Sequence, residues 1–172
     1  KQLDVDYRRR EQASSPINHI FDELSSKDTS IILRYTVQAR DLEHGGEASS
    51  RFKRSLNKLG FAPQMLRRVA IATYEAEMNL ILHTTEGGAI RADVRPHAIH
   101  IGITDPGPGI PDVELAMRPG FSTAPAWIRE MGFGAGMGLK NIQDCADEMS
   151  LTSDPAEGTH LHIRFDTVPT ST

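Results

Sequence analysis

Glu75, Asn79 and His83 stand four residues apart in a stretch that is apolar nearly all round between Val69 and Leu82. If the segment is helical, that spacing sets all three on one narrow stripe. A carboxylate so placed can orient or deprotonate an attacking hydroxyl or water. An amide oxygen one turn further suits a hard cation such as Mg2+, which prefers oxygen ligands. The plainer reading makes the stripe the helix's wet face, but its apolar flanks favour the wall of a cleft. Glu77 lies on the other side of the helix and takes no part in this chemistry.

Two further stretches have the composition of ligand loops. "TDPGPGI" (104–110) ends an apolar run with an acid and two glycines. It reads either as a tight turn or as Asp105 accepting from an exocyclic amine, with Gly107 and Gly109 letting backbone approach a flat ring. "MGFGAGMGL" (131–139) has glycine at alternate positions, Gly132, Gly134, Gly136 and Gly138, and leads into a helical pattern. Backbone N–H groups exposed before a helix N-terminus form an anion site that suits a triphosphate; a flexible hinge is the other reading. A Walker A loop is excluded, because Lys140 follows Leu139 rather than a glycine. The dinucleotide fingerprint fails as well, since Met137 and Leu139 interrupt it and no βαβ strand precedes it. Gly158-Thr159, before the last apolar run, is unremarkable on its own.

These residues need elements to hold them. The β-branched run 29–38 reads as a strand and 47–60 as a helix with Phe52, Leu56 and Leu59 on one face. Residues 62–88 read as a long helix opened by Pro63 and closed by Gly87-Gly88. "AIRADV" and "AIHIGITD" form a hairpin about Arg95-Pro96-His97. Residues 106–136, rich in Gly and Pro with little periodicity, read as a long functional loop. "GMGLKNIQDCADEM" (136–149) follows as a helix, then "SLTSD" and "THLHIRFD" as strands around a turn at 155–158. Paired strands beside separate helices give an α+β two-layer sandwich. Residues 1–28, with a basic cluster at Arg8–Arg10 and a short helix after Pro16 carrying Ile17, Ile20, Phe21 and Leu24, read as an arm or partner-binding helix, or as a helix that caps the domain; residues 167–172 read as a tail.

Composition narrows the partners. The 172 residues suffice for one domain with a proper core. A net charge of −4 lacks the basic excess of a dedicated nucleic-acid binder. No apolar run approaches the roughly 20 residues that span a bilayer. The single cysteine, Cys145, permits no internal disulfide and fits a reducing, cytoplasmic setting. The chain opens on Lys1 rather than Met and shows no leader pattern, so an upstream segment is expected.

In this order and spacing, the four pieces resemble the N, G1, G2 and terminal Gly-Thr boxes of the GHKL ATPases, the superfamily of gyrase B, Hsp90, histidine kinases and MutL. They are Glu75/Asn79/His83, Asp105/Gly107/Gly109, Gly132 to Gly138 with Leu139, and Gly158-Thr159. The resemblance covers roughly residues 30–166. "GFSTA" (120–124) and "GFGAGMGLKNI" are most similar to the anti-sigma factors and switch-protein serine kinases of the RsbW, RsbT and SpoIIAB type. The resemblance implies a Bergerat fold, with a mixed, mostly antiparallel sheet, helices on one face and a mobile lid over ATP at about 106–136. The ATP-binding domain is then residues 29–166. Carried over box by box, Glu75 matches the general base, Asn79 the Mg2+ ligand and Asp105 the adenine-reading aspartate. Gly107 and Gly109 match the turn beside the base. Gly132, Gly134, Gly136, Gly138 and Leu139 match the phosphate-cradling lid end, and Thr159 supports the adenine pocket. His83 falls on a position commonly His or Tyr, with a place near the phosphates as the expectation.

The resemblance implies two functions on the same nucleotide site. One is a serine/threonine kinase acting on a small protein such as a STAS-type antagonist, and the other an ATP-gated regulator that sequesters a sigma factor or another regulator with little or no turnover. A homodimer is one assembly to test. Leu82 stands where many histidine kinases carry a basic residue, and His19 lacks the acidic residue that follows a phosphoacceptor, so the histidine-kinase branch fits less well. Gyrase-like and MutL-like roles call for a further transducer domain.

Overall fold

In β2 (Ile31–Val37) Leu33, Tyr35 and Val37 are buried while Arg34 and Thr36 are exposed, the two-residue period of a strand with one wet face. The computed structural model describes residues 4–6 and 30–167. Its other strands are β1 (Asp4–Asp6), β3 (Gly88–Val94), β4 (Ala98–Asp105), β5 (Glu148–Asp154) and β6 (Gly158–Asp166). The helices are α1 (Glu47–Lys58), α2 (Pro63–His83), α3 (Val113–Ala116), α4 (Ala126–Glu130) and α5 (Gly138–Cys145). The strands form one sheet in the order β1-β2-β3-β4-β6-β5.

Pairing register aligns the apolar positions into rows. Leu33, Ala92, Ile101, Ile163 and Met149 make one row, and Tyr35, Ile90, Ile103, Leu161 and Leu151 the next. The helices cover this face through Phe52 and Leu56 of α1, Val69, Ala76 and Ile81 of α2, and Ile142 of α5, all buried. The other face presents Arg34, Thr36, Arg91 and Thr104 to solvent. The expected two-layer α+β sandwich with helices on one face is therefore the architecture found.

Every pairing among the described residues is antiparallel. Two helices between β2 and β3 bring the chain back to its starting end, so β3 runs against β2. The crossover from β4 through α5 leaves β4 and β5 running the same way, but β6 is inserted between them. That insertion makes the sheet wholly antiparallel where a mixed one was expected.

Four local readings change. Helix α2 stops at His83 because Thr84 takes over its end, donating from Oγ1 to the Leu80 carbonyl at 2.6 Å and accepting from the Gly87 N–H at 2.8 Å. The helix expected to reach residue 149 ends at Cys145. Ala146 turns extended, and Glu148 and Met149 pair with Arg164 and Ile163, so sheet-edge pairing overrides the helical pattern. Asp147 fixes that exit, accepting from Arg68 at 2.7 Å and from the Asp166 N–H at 2.8 Å. Within the arm, Asp4–Asp6 pair with β2 at the sheet edge, while the helix expected after Pro16 lies outside the described residues.

The fourth change concerns Glu77, which is fully buried. Its Oε1 accepts from the Ala48 N–H at 3.0 Å and its Oε2 from the Ser49 N–H at 2.9 Å. Helix α1 begins after Gly46, which offers no side-chain cap. Its first-turn N–H groups, orphaned in any helix, are thus capped by a carboxylate from the neighbouring helix, at the positive end of the α1 dipole.

Candidate functional site

The long helix α2 places Glu75, Asn79 and His83 on one stripe, as their spacing requires, and the stripe faces a cleft of about 550 Å3 between α2, the sheet's end and the segment 106–136. The sheet contributes the row beyond the apolar ones, where Asp105, Thr159 and Ser153 are register partners. Those side chains share the helix-facing side with Ile103 and Leu161, so a polar edge meets an apolar floor.

The polar edge is already ordered. Asp105 Oδ1 accepts the Gly107 N–H at 2.9 Å, which leaves Oδ2 for a donor on a ligand. Thr159 Oγ1 lies 3.0 Å from Ser153 Oγ, and Ser153 Oγ accepts the Ile110 N–H at 2.6 Å. Ser153 therefore ties the loop after β4 to the strand carrying Thr159. Gly109 lines the cleft, whereas Gly107 is buried beneath it and serves the turn.

At the other end of the cleft, Gly132, Gly134, Gly136, Gly138 and Leu139 all line it. Gly136 shows why a glycine is required: its φ is +76°, and a Cβ there would stand 2.4 Å from the Phe121 carbonyl oxygen. Its own carbonyl accepts the Gly120 N–H at 2.9 Å, which pins the two ends of the inner loop together. Gly138 is different. A Cβ on it would come within 3.2 Å of Glu75 Oε2 and 3.3 Å of Asn79 Oδ1, so the first turn of α5 sits directly against both side chains. The alternate glycines thus serve two ends, loop geometry at Gly136 and close approach at Gly138.

The segment 106–136 holds more structure than a loop. Asp112 caps α3 by accepting the Leu115 N–H at 2.8 Å, and α4 buries Ile128 against the segment's own Ala124 and Gly134. It is latched to α2 where Thr123 Oγ1 meets His83 Nδ1 at 3.2 Å. Loss of hydration lowers the His83 imidazole pKa.

Asn141 of α5 was not singled out from the sequence. Its Nδ2 donates to Glu75 Oε1 at 2.7 Å. Only the α2–α5 packing brings these residues together, 66 positions apart. Ser153 was missed for a similar reason, since its place follows from the pairing of β5 with β6.

Among the described residues no Lys or Arg lines the cleft. A polyphosphate there would be neutralised by backbone N–H groups of the glycine stretch and α5, together with a cation. Asn79 offers a hard cation an amide oxygen on the cleft wall.

Residues 66–169 match the family described as Histidine kinase-, DNA gyrase B-, and HSP90-like ATPase. The chain is similar to an anti-sigma F factor of Bacillus licheniformis, 32% identical over 103 residues, covering 57% of this chain and 67% of that protein. It is similar to an anti-sigma F factor of Caldanaerobacter subterraneus subsp. tengcongensis, 38% identical over 99 residues, covering 55% of this chain and 66% of that protein. It is also similar to the serine/threonine-protein kinase RsbT of Bacillus subtilis, 35% identical over 107 residues, covering 60% of this chain and 74% of that protein. No helix among the described residues is long and apolar enough to cross a membrane. The match spans more than half of the sequence, and the chain belongs to the family of histidine kinase-, DNA gyrase B- and HSP90-like ATPases.

Proposed function

We propose that this protein is an ATP-dependent serine/threonine kinase that phosphorylates a small regulatory partner in the cytoplasm. The observation that carries the reading is the Glu75 carboxylate, which faces the cleft one turn from Asn79 and against the first turn of α5. In this reading the adenine amine donates to Asp105 Oδ2, Thr159 and Ser153 hold the far edge of the ring, and the phosphates lie along residues 132–138. Asn79 would hold Mg2+, which when bound neutralises phosphate charge. Glu75 takes the proton of the partner's seryl or threonyl hydroxyl as its oxygen forms the new bond to the γ-phosphorus. The bond from that phosphorus to the β–γ bridging oxygen breaks, and ADP departs. Such transfer depends mainly on positioning and charge neutralisation, which a wall of fixed backbone dipoles supplies.

The names of the anti-sigma F factors support a second reading on the same site, an ATP-gated regulator that binds a sigma factor or another regulator with little turnover. There ATP would order the segment 106–136 and so create a docking surface. The two are separated by following label from γ-labelled ATP to a STAS-type partner. The kinase reading expects transfer by the wild type and its loss in Glu75→Ala. Equal transfer by both would remove Glu75 from the base role, and no transfer with tight partner binding would favour the regulator.

A further inference from the structure

We propose that Asn141 is a positioning residue for Glu75, fixing the carboxylate so that Oε1 is occupied and Oε2 is presented to the incoming hydroxyl. This rests on the reading of Glu75 as the base. The geometry is specific. An ionised carboxylate only accepts hydrogen bonds, so at 2.7 Å it is the amide nitrogen of Asn141 that faces Oε1. The other oxygen, Oε2, is the one nearest to Gly138, at the mouth of the glycine stretch. Glu75 and Asn141 are both part-buried cleft-wall residues, so the bond is charge-assisted and shielded from bulk water.

The placement also links the base to the lid. Asn141 lies one turn beyond Gly138, and its own N–H donates to the Met137 carbonyl at 2.8 Å. Ile142, fully buried, anchors α5 in the core beside it. Any shift of the glycine stretch that moves the first turn of α5 therefore moves the donor that holds Glu75. A carboxylate with one oxygen pinned has a single orientation toward the cleft, whereas an unpinned one rotates about its last torsion. Burial raises the pKa of the Cys145 thiol on α5 despite the counteracting charges of Arg68 and Arg67, and loss of hydration lowers that of His83 on α2.

The test uses the intact chain, measuring single-turnover loss of γ-labelled ATP with Mg2+ across pH, beside the affinity for ADP. Three variants are compared with wild type: Glu75→Gln, Asn141→Ala and Asn141→Asp. Asn141→Ala removes the donor, and turnover is expected to fall about tenfold with ADP affinity unchanged. Asn141→Asp keeps the shape but sets a second carboxylate against Glu75. Like charge disfavours ionisation, so the acid limb of the pH–rate profile is expected to move up by about one unit. Thermal melts confirm that both variants fold. ADP affinity falling in step with turnover would assign Asn141 to nucleotide binding and overturn the proposal. Unchanged rate and pH profile in both Asn141 variants, with turnover lost in Glu75→Gln, would overturn it while leaving the base role standing. Wild-type turnover in Glu75→Gln would overturn the base reading itself, and the positioning role with it.

Discussion

Replacing Glu77 by Ala should be among the most damaging single changes outside the cleft. The carboxylate is fully buried and accepts two backbone N–H groups, those of Ala48 and Ser49, at 3.0 and 2.9 Å. Alanine leaves both donors in a space that water does not reach. Each buried unsatisfied group costs about 1–3 kcal/mol. The lost interaction of a negative charge with the α1 N-terminus adds roughly 0.3–1 kcal/mol. A loss of about 2–7 kcal/mol follows, a large share of the roughly 5–15 kcal/mol that holds a domain folded. Glu77→Gln keeps one acceptor but turns an N–H group toward the other donor, so about half of the loss is expected. Urea unfolding followed by far-UV circular dichroism measures both. If Glu77→Ala costs less than about 1 kcal/mol with an unchanged urea slope, the buried cap does not stabilise α1 and the reasoning fails.

Other consequences can be checked on the same preparations. Gly136→Ala forces a positive φ on alanine and a Cβ against the Phe121 carbonyl, so ATP affinity should drop at least about tenfold by calorimetry while the core remains folded. Ser153→Ala removes the acceptor of the Ile110 N–H and should cost about 1–2 kcal/mol in urea unfolding. Ile142→Ala empties a fully buried site under α5 and should cost about 2–5 kcal/mol. Asp147 is held below the usual carboxylate range: partial burial pushes its pKa up, but the hydrogen bonds from Arg68 and the Asp166 N–H, with the Arg68 charge, outweigh it. A depressed folded-state pKa contributes stability above the unfolded value near 3.8 that is lost as pH falls through the folded value. Arg68→Met should therefore narrow the gap between melting temperatures at pH 7 and pH 3, and an unchanged gap would contradict the assignment.

What the sequence discloses is what local spacing encodes. The four-residue interval of Glu75, Asn79 and His83 needs only a helix to become one stripe, and α2 supplies it. The alternation in β2, β4 and β6 fixes which side chains face the helices. Partnerships between distant elements are not written this way. Glu77 looks idle along α2, because its partners, Ala48 and Ser49, lie 29 and 28 residues upstream. Asn141 and Ser153 acquire their roles from the packing of α5 on α2 and of β5 on β6, neither of which leaves a periodic trace. The end of α5 was missed because residues 146–149 suit a helix locally, and the edge of the sheet takes them instead.

Both functional readings stand on ATP occupying the cleft with its base read by Asp105. Calorimetric titration of the intact protein with ATP and Mg2+, beside Asp105→Asn, tests this most directly. The account predicts one saturable site in the wild type and a loss of at least about tenfold in affinity in Asp105→Asn, since an amide nitrogen facing the exocyclic amine replaces an acceptor by a donor. Absence of binding by the wild type, or equal affinity in the two proteins, would contradict it.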